Sequence, residues 1–94
     1  MTLLETTYKS LHDCDLTKST RDFSTKYLNR NANWYSYQTH KKRDFSLTAA
    51  VAFVKSVNNM IEQDVLDAES KRALLTSKFQ ISNYLKDTHS LYIM

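Results

Sequence analysis

Apolar residues recur along this chain in a series of stripes, and the spacing within each is helical. Leu4, Tyr8 and Leu11 stand at i, i+4 and i+7, on one face of a helix. Thr2-Leu3-Leu4-Glu5 has capping-box form ahead of them, and Asp13, Cys14 and Asp15 are weak helix formers behind. A first helix is predicted over Leu3 to His12. A second start signal lies at Thr17-Lys18-Ser19, with Asp22 placed to favour a helix N-terminus. Phe23, Tyr27 and Leu28 give an apolar face to a short helix from Thr20 to Leu28. Asn29 is suited to close it, because asparagine tolerates the left-handed conformation better than other non-glycine residues.

A third helix is predicted from Asn31 or Asn33 through Gln38, fading in His40-Lys41-Lys42-Arg43-Asp44. Ser46 caps a fourth, whose stripe is Leu47, Ala50, Val51, Val54, Val57 and Ile61. The fifth begins around Asp67 and runs through Leu74, Leu75, Lys78, Ile81 and Leu85, with Phe79 and Tyr84 widening its apolar sector. The expected architecture is all-α: a compact bundle of about five helices in a single domain over 1–94, with a core at 4–62 and a C-terminal helix and tail at 63–94.

Composition sharpens this picture. The 94 residues include no glycine and no proline. Without glycine the chain cannot carry a phosphate-binding P-loop, a dinucleotide-binding G-x-G-x-x-G or a nucleophile elbow. A single cysteine, Cys14, cannot form an internal disulfide, and no apolar run approaches the length of a membrane span. No signal-peptide pattern opens the chain, so a soluble, cytoplasmic protein is expected.

Catalytic chemistry has little to stand on. His12, His40 and His89 are widely separated, and His12 with Cys14 lacks a second pair to complete a tetrahedral metal site. Neither an enzyme nor a cofactor nor a metal is expected.

Charge is concentrated. Between Leu16 and Arg43 stand seven basic residues, Lys18, Arg21, Lys26, Arg30, Lys41, Lys42 and Arg43, against the one acid Asp22. The rest of the chain carries more acids than bases, so the overall net charge is only +3. A local excess of this kind fits a polyanion-facing surface.

That basic window coincides with a helix, a short Asn-rich turn, a second helix and a basic turn. Such an order is a helix-turn-helix, in which one helix lies in the major groove and its predecessor braces it. On topology alone an ordinary antiparallel helical pair fits equally well; side-chain chemistry separates the two. If Tyr35 and either Trp34 or Gln38 line the core side, Asn31, Asn33, Ser36 and Thr39 or His40 point outward. Amides suit adenine, and hydroxyls suit phosphate oxygens.

Phe23-Ser24, Tyr27-Leu28-Asn29, Asn31, Tyr35-Ser36 and the run from Lys41 to Leu47 together resemble the Cro/lambda-repressor-type helix-turn-helix. The likeness covers residues 4 to about 59. Asn29 and Lys41 stand where that family has glycine, and Phe45 where it has proline. One residue more than the usual spacing separates Phe23-Ser24 from Asn29. The resemblance implies a transcription regulator that binds double-stranded DNA as a homodimer. It assigns base reading to Asn31, Asn33, Tyr35, Ser36 and Thr39. Phosphate contacts fall to Arg30, Lys41, Lys42 and Arg43, with Lys26 helping from the bracing helix. Leu75, Phe79, Leu85, Leu91, Tyr92 and Ile93 form the candidate dimer surface. The alternative is a small helical interaction module, such as a phage-type inhibitor, that binds a protein target through Trp34, Tyr35 and Tyr37 without binding DNA.

Overall fold

Each helix in the computed structural model, which describes residues 1–63 and 65–89, starts or stops where a side chain supplies a backbone partner. Helix α1 spans Leu3–Asp13, and Thr2 and Glu5 form the full capping box at its start. Helix α2 begins at Thr20–Asp22, capped by Ser19, and continues without a break as a π-helical turn over Phe23–Tyr27. Helix α3 is Trp34–His40, and α4 is Leu47–Glu62 behind the Ser46 cap. Helix α5 covers Ala68–His89, with Asp67 Oδ1 accepting the Ser70 N–H at 2.8 Å. The all-α architecture is as expected, and no strand occurs among the described residues.

One core unites these elements. Leu4 and Leu11 of α1, Phe23 and Tyr27 of the π-turn, Phe53, Val54 and Val57 of α4, and Leu74, Ile81 and Leu85 of α5 are all buried in it. Helix α4 packs against α5 and the π-turn, while α5 also closes over α1. The α4 stripe differs from the expected one at its start. Leu47, in the first turn, is exposed, and the buried face runs through Ala49, Ala50, Phe53, Val54 and Val57.

Three helices end in the left-handed conformation without a glycine: Asp15, Asn29 and Lys42 have φ of 57°, 53° and 57°. After α1, the Leu16 N–H returns to Leu11 O at 2.9 Å and the Asp15 N–H to His12 O at 3.1 Å. After α3, the Arg43 N–H reaches Gln38 O at 2.9 Å and the Lys42 N–H reaches Thr39 O at 3.0 Å. Both are Schellman closures. Asn29 is positioned as the sequence predicts; the later glycine-like position is Lys42 rather than Lys41. A β-carbon at positive φ is unfavourable, so Lys42→Gly is expected to raise stability by about 0.5–1 kcal/mol, measured by urea titration. An unchanged midpoint would mean that the backbone there is unstrained.

The loop between α3 and α4 is tied down from several sides. Asp44 accepts the N–H groups of Leu3 and Leu4 at 3.1 and 2.8 Å, so its carboxylate holds the start of α1. Gln38 Nε2 donates to Asp44 O at 3.0 Å, and the Tyr84 hydroxyl donates to Phe45 O at 2.8 Å. These contacts set the path of the chain on leaving α3.

The Tyr27 hydroxyl donates to Leu16 O at 2.7 Å inside the core. Burial, with the nearby Asp22 charge adding to it, pushes this phenol up from 10.0 to about 12. A folded-state value above the unfolded one means that the folded chain holds the proton longer. Stability contributed by Tyr27 is therefore complete below pH 10 and declines as pH rises towards about 12. Thermal melts across that range are expected to show Tm falling with pH, and Tyr27→Phe to flatten the fall.

Candidate nucleic-acid interface

Helix α3 has two faces, and its short sequence decides both. Trp34 and Gln38, four residues apart, are buried, while Asn33, Ser36, Tyr37 and His40 form an exposed stripe at i, i+3, i+4 and i+7. Both members of the Trp34-or-Gln38 choice therefore face inward. Close approach of α3 to α2 depends on the small Ser24. Its hydroxyl donates to Thr20 O at 2.9 Å and accepts the Tyr35 N–H at 3.1 Å, which satisfies a first-turn donor of α3.

The turn between the helices carries an unusual closure. The Arg30 N–H bonds to Ser24 O at 2.9 Å, six residues back, where the closures after α1 and α3 reach back five. The π-turn accounts for the difference, since it winds one more residue into the helix than a regular α-turn holds. Across the core, the Ser56 hydroxyl of α4 donates to Tyr27 O at 3.0 Å, satisfying a carbonyl near the end of this widened turn.

All seven cations of the basic window are exposed. Three of them are brought to α3. Arg21 Nη1 donates to Asn33 Oδ1 at 3.2 Å, the Arg30 guanidinium carbon lies over the Trp34 ring at 5.9 Å from its centre, and Lys41 Nζ lies 5.7 Å from that of Tyr37. Lys26 lies 5.4 Å from the centre of its neighbour Tyr27's ring, on the bracing helix. Lys42 and Arg43 occupy the left-handed turn that follows α3. A concavity of ≈ 560 Å³ opens beside the helix, lined by Arg30, Asn31, Asn33, Trp34 and Tyr37.

The expected base readers divide. Asn31, Asn33 and Ser36 are exposed. Thr39 is half-buried and its hydroxyl donates back to Tyr35 O at 3.0 Å. Tyr35 faces the other way. Its ring centre lies 5.0 Å from that of the tilted Tyr8 ring and 5.9 Å from that of Phe23, which it meets edge to face, and burial pushes its phenol up to about 12. The expectation of a base-reading Tyr35 is corrected on that ground: its ring braces α3 against α1 and α2.

Sequence reasoning gives none of Arg21, Tyr37 and His40 a DNA contact, although Arg21 stands in the basic window, His40 is an alternative to Thr39 on the outer side and Tyr37 belongs to the protein-binding alternative. Arg21 meets Asn33 across twelve residues of chain, and no local signal announces that contact. Tyr37 and His40 follow from helical geometry once Trp34 and Gln38 are known to be inside.

The dimer surface is corrected too. Leu85 shares the buried face of α5 with Leu74 and Ile81 and is 0% exposed, so it belongs to the core of one chain. Leu75 and Phe79, 45% and 68% exposed, remain on the outer face. Leu91, Tyr92 and Ile93 lie outside the described residues.

Residues 4–89 match the model of a family of unknown function, DUF6626. The chain belongs to that family. Neither the curated proteins nor the solved structures contain a match. Among the described residues of this DUF6626 chain, no group of three or more His, Cys, Asp or Glu side chains is placed to hold a metal ion, and no helix is long and apolar enough to cross a membrane.

Proposed function

We propose that this chain is a cytoplasmic regulator of transcription that binds double-stranded DNA sequence-specifically, acts as a homodimer, and uses α3 as its major-groove element. One observation carries the reading. The outer stripe of α3 is polar and solvent-facing, is backed by a buried Trp34 and Gln38, and has Arg21, Arg30 and Lys41 brought to it. An α-helix so presented matches the width of a major groove, and cations beside it suit the phosphate ridges.

The π-turn supports the resemblance from which the reading began. An extra residue between Phe23-Ser24 and Asn29 is wound into the helix, and the chain still enters its turn through a left-handed Asn29.

For the dimer, Leu75 and Phe79 lie four residues apart on the outer face of α5 and offer an apolar patch to a second copy. The interaction-module alternative is favoured by one feature, the 53% exposed Tyr37, since exposed tyrosines anchor protein interfaces.

Fluorescence anisotropy with duplex DNA from upstream of the chain's own gene, at roughly 50 mM salt where phosphate contacts are strongest, separates the two. Binding that weakens steeply with salt and differs between that duplex and a scrambled one supports the regulator. Absence of any duplex binding overturns it and leaves the interaction module. Light scattering across the micromolar range tests the dimer, which a monomer throughout would remove.

A further inference from the structure

The concavity beside α3 is rich in hydrogen-bond donors. No carboxylate lines it. Asn31 Oδ1 accepts the Asn33 N–H at 3.0 Å, and Asn33 Oδ1 accepts Arg21 Nη1 at 3.2 Å. Each amide oxygen thus already holds one donor and keeps one lone pair, while neither NH2 group is committed. An asparagine that reads adenine uses a donor and an acceptor from the same amide. Here the acceptor half of each is partly taken, so the NH2 groups are the readier contacts.

Around the concavity the Arg30 guanidinium only donates, the two amides offer their NH2 groups, and the Tyr37 hydroxyl can donate or accept. The cation–π contact with Trp34, at 5.9 Å, limits the freedom of the guanidinium, so less is lost when it closes on a ligand. A ring of donors around a positive charge suits an anion that only accepts. A phosphodiester is such a group, and arginine meets it with two parallel N–H bonds.

We propose that this concavity seats a backbone phosphate, with Arg30, Asn31 and Asn33 as donors, and that sequence is read further along α3 by Ser36, Tyr37 and His40. This rests on the duplex-binding reading and deepens it, moving Asn31 and Asn33 from the base edges to the backbone. Ser36, Tyr37 and His40 are exposed on the outer stripe. Together they carry a hydroxyl, a phenol and an imidazole, each able to donate or accept at a base edge.

The test compares the full-length chain with its Arg30→Ala, Asn33→Ala and His40→Ala variants by anisotropy, using a duplex selected by the wild type from a random library and a scrambled duplex. Arg30→Ala and Asn33→Ala are expected to weaken both duplexes by the same factor, leaving the ratio between them unchanged. Arg30→Ala also lowers the slope of log affinity against log salt by about 0.9. His40→Ala shrinks the ratio by about tenfold with little change in slope. Loss of the ratio in Asn33→Ala, or an unchanged slope in Arg30→Ala, overturns the assignment; circular dichroism establishes that each variant is folded.

Should the wild type bind no duplex, the regulator reading fails by itself. Amide NMR with inorganic phosphate then decides the seat. Shifts at Arg30, Asn31 and Asn33 that vanish in Arg30→Ala retain it as a phosphate site, and their absence sinks it as well.

Discussion

Charge reversal at Lys41, Lys42 and Arg43 is expected to lower duplex affinity by roughly a hundred- to a thousandfold at ~0.1 M salt. The three residues are consecutive and exposed, and they occupy the end of α3 and the turn that closes it. If each neutralises one phosphate, their loss removes three counterion-release terms, and the salt slope falls by up to about 2.7. Repulsion from the new carboxylates adds to the loss. The fold should survive, because the hydrogen bonds that close the turn are made by backbone N–H groups of Lys42 and Arg43. Anisotropy at three salt concentrations measures the effect. Reversal at Lys9, Lys55 and Arg72, exposed on α1, α4 and α5, is the control and should cost far less. Equal losses in the two triple variants would show that only net charge matters, and the α3 interface would fall.

Phe53→Ala is expected to be the most damaging single change to stability, at about 3–5 kcal/mol. Phe53 is 0% exposed, and its ring lies 6.3 Å from that of Phe23, 6.0 Å from Tyr27 and 6.2 Å from Phe45. These contacts join α4 to the π-turn and to the loop that leads out of α3. Truncation leaves a cavity that three large neighbours, two on the π-turn and one on the loop after α3, cannot collapse to fill. Against the roughly 5–15 kcal/mol of a typical domain, the loss shifts Tm by well over about 10 °C. Calorimetry checks this, and a shift of only a few degrees would mean that the cluster repacks. The same cluster holds Phe23, whose neighbour Ser24 receives the Tyr35 N–H, so duplex binding should fail as the variant melts.

Tyr35 and Leu85 mark the limit of reading this chain as a string. Periodicity put Leu85 on an apolar stripe and left Tyr35 either on the core side of its helix or among the base readers, but a stripe wider than one contact surface does not say which residues meet a neighbour in the same chain. Tyr35 meets Tyr8 and Phe23, and Leu85 closes over the bundle, because α1 and α4 lie where they do. Leu75 and Phe79, equally apolar in the sequence, ended outside. Asp44 teaches the same lesson from the polar side. Nothing near it in sequence tells that its carboxylate holds the start of a helix some forty residues earlier.

Local chemistry was legible throughout. Caps at Thr2, Ser19 and Ser46, the left-handed Asn29 and the helical class of every element follow from neighbours within a few residues. Those effects act over one helical turn, so the sequence alone determines them. Which face of α3 looks outward, how Arg21 reaches it and how the π-turn absorbs its extra residue were decided only in three dimensions. Each depends on contacts between residues eleven or more apart, or on a backbone closure made possible by packing, and a linear pattern holds no record of those distances.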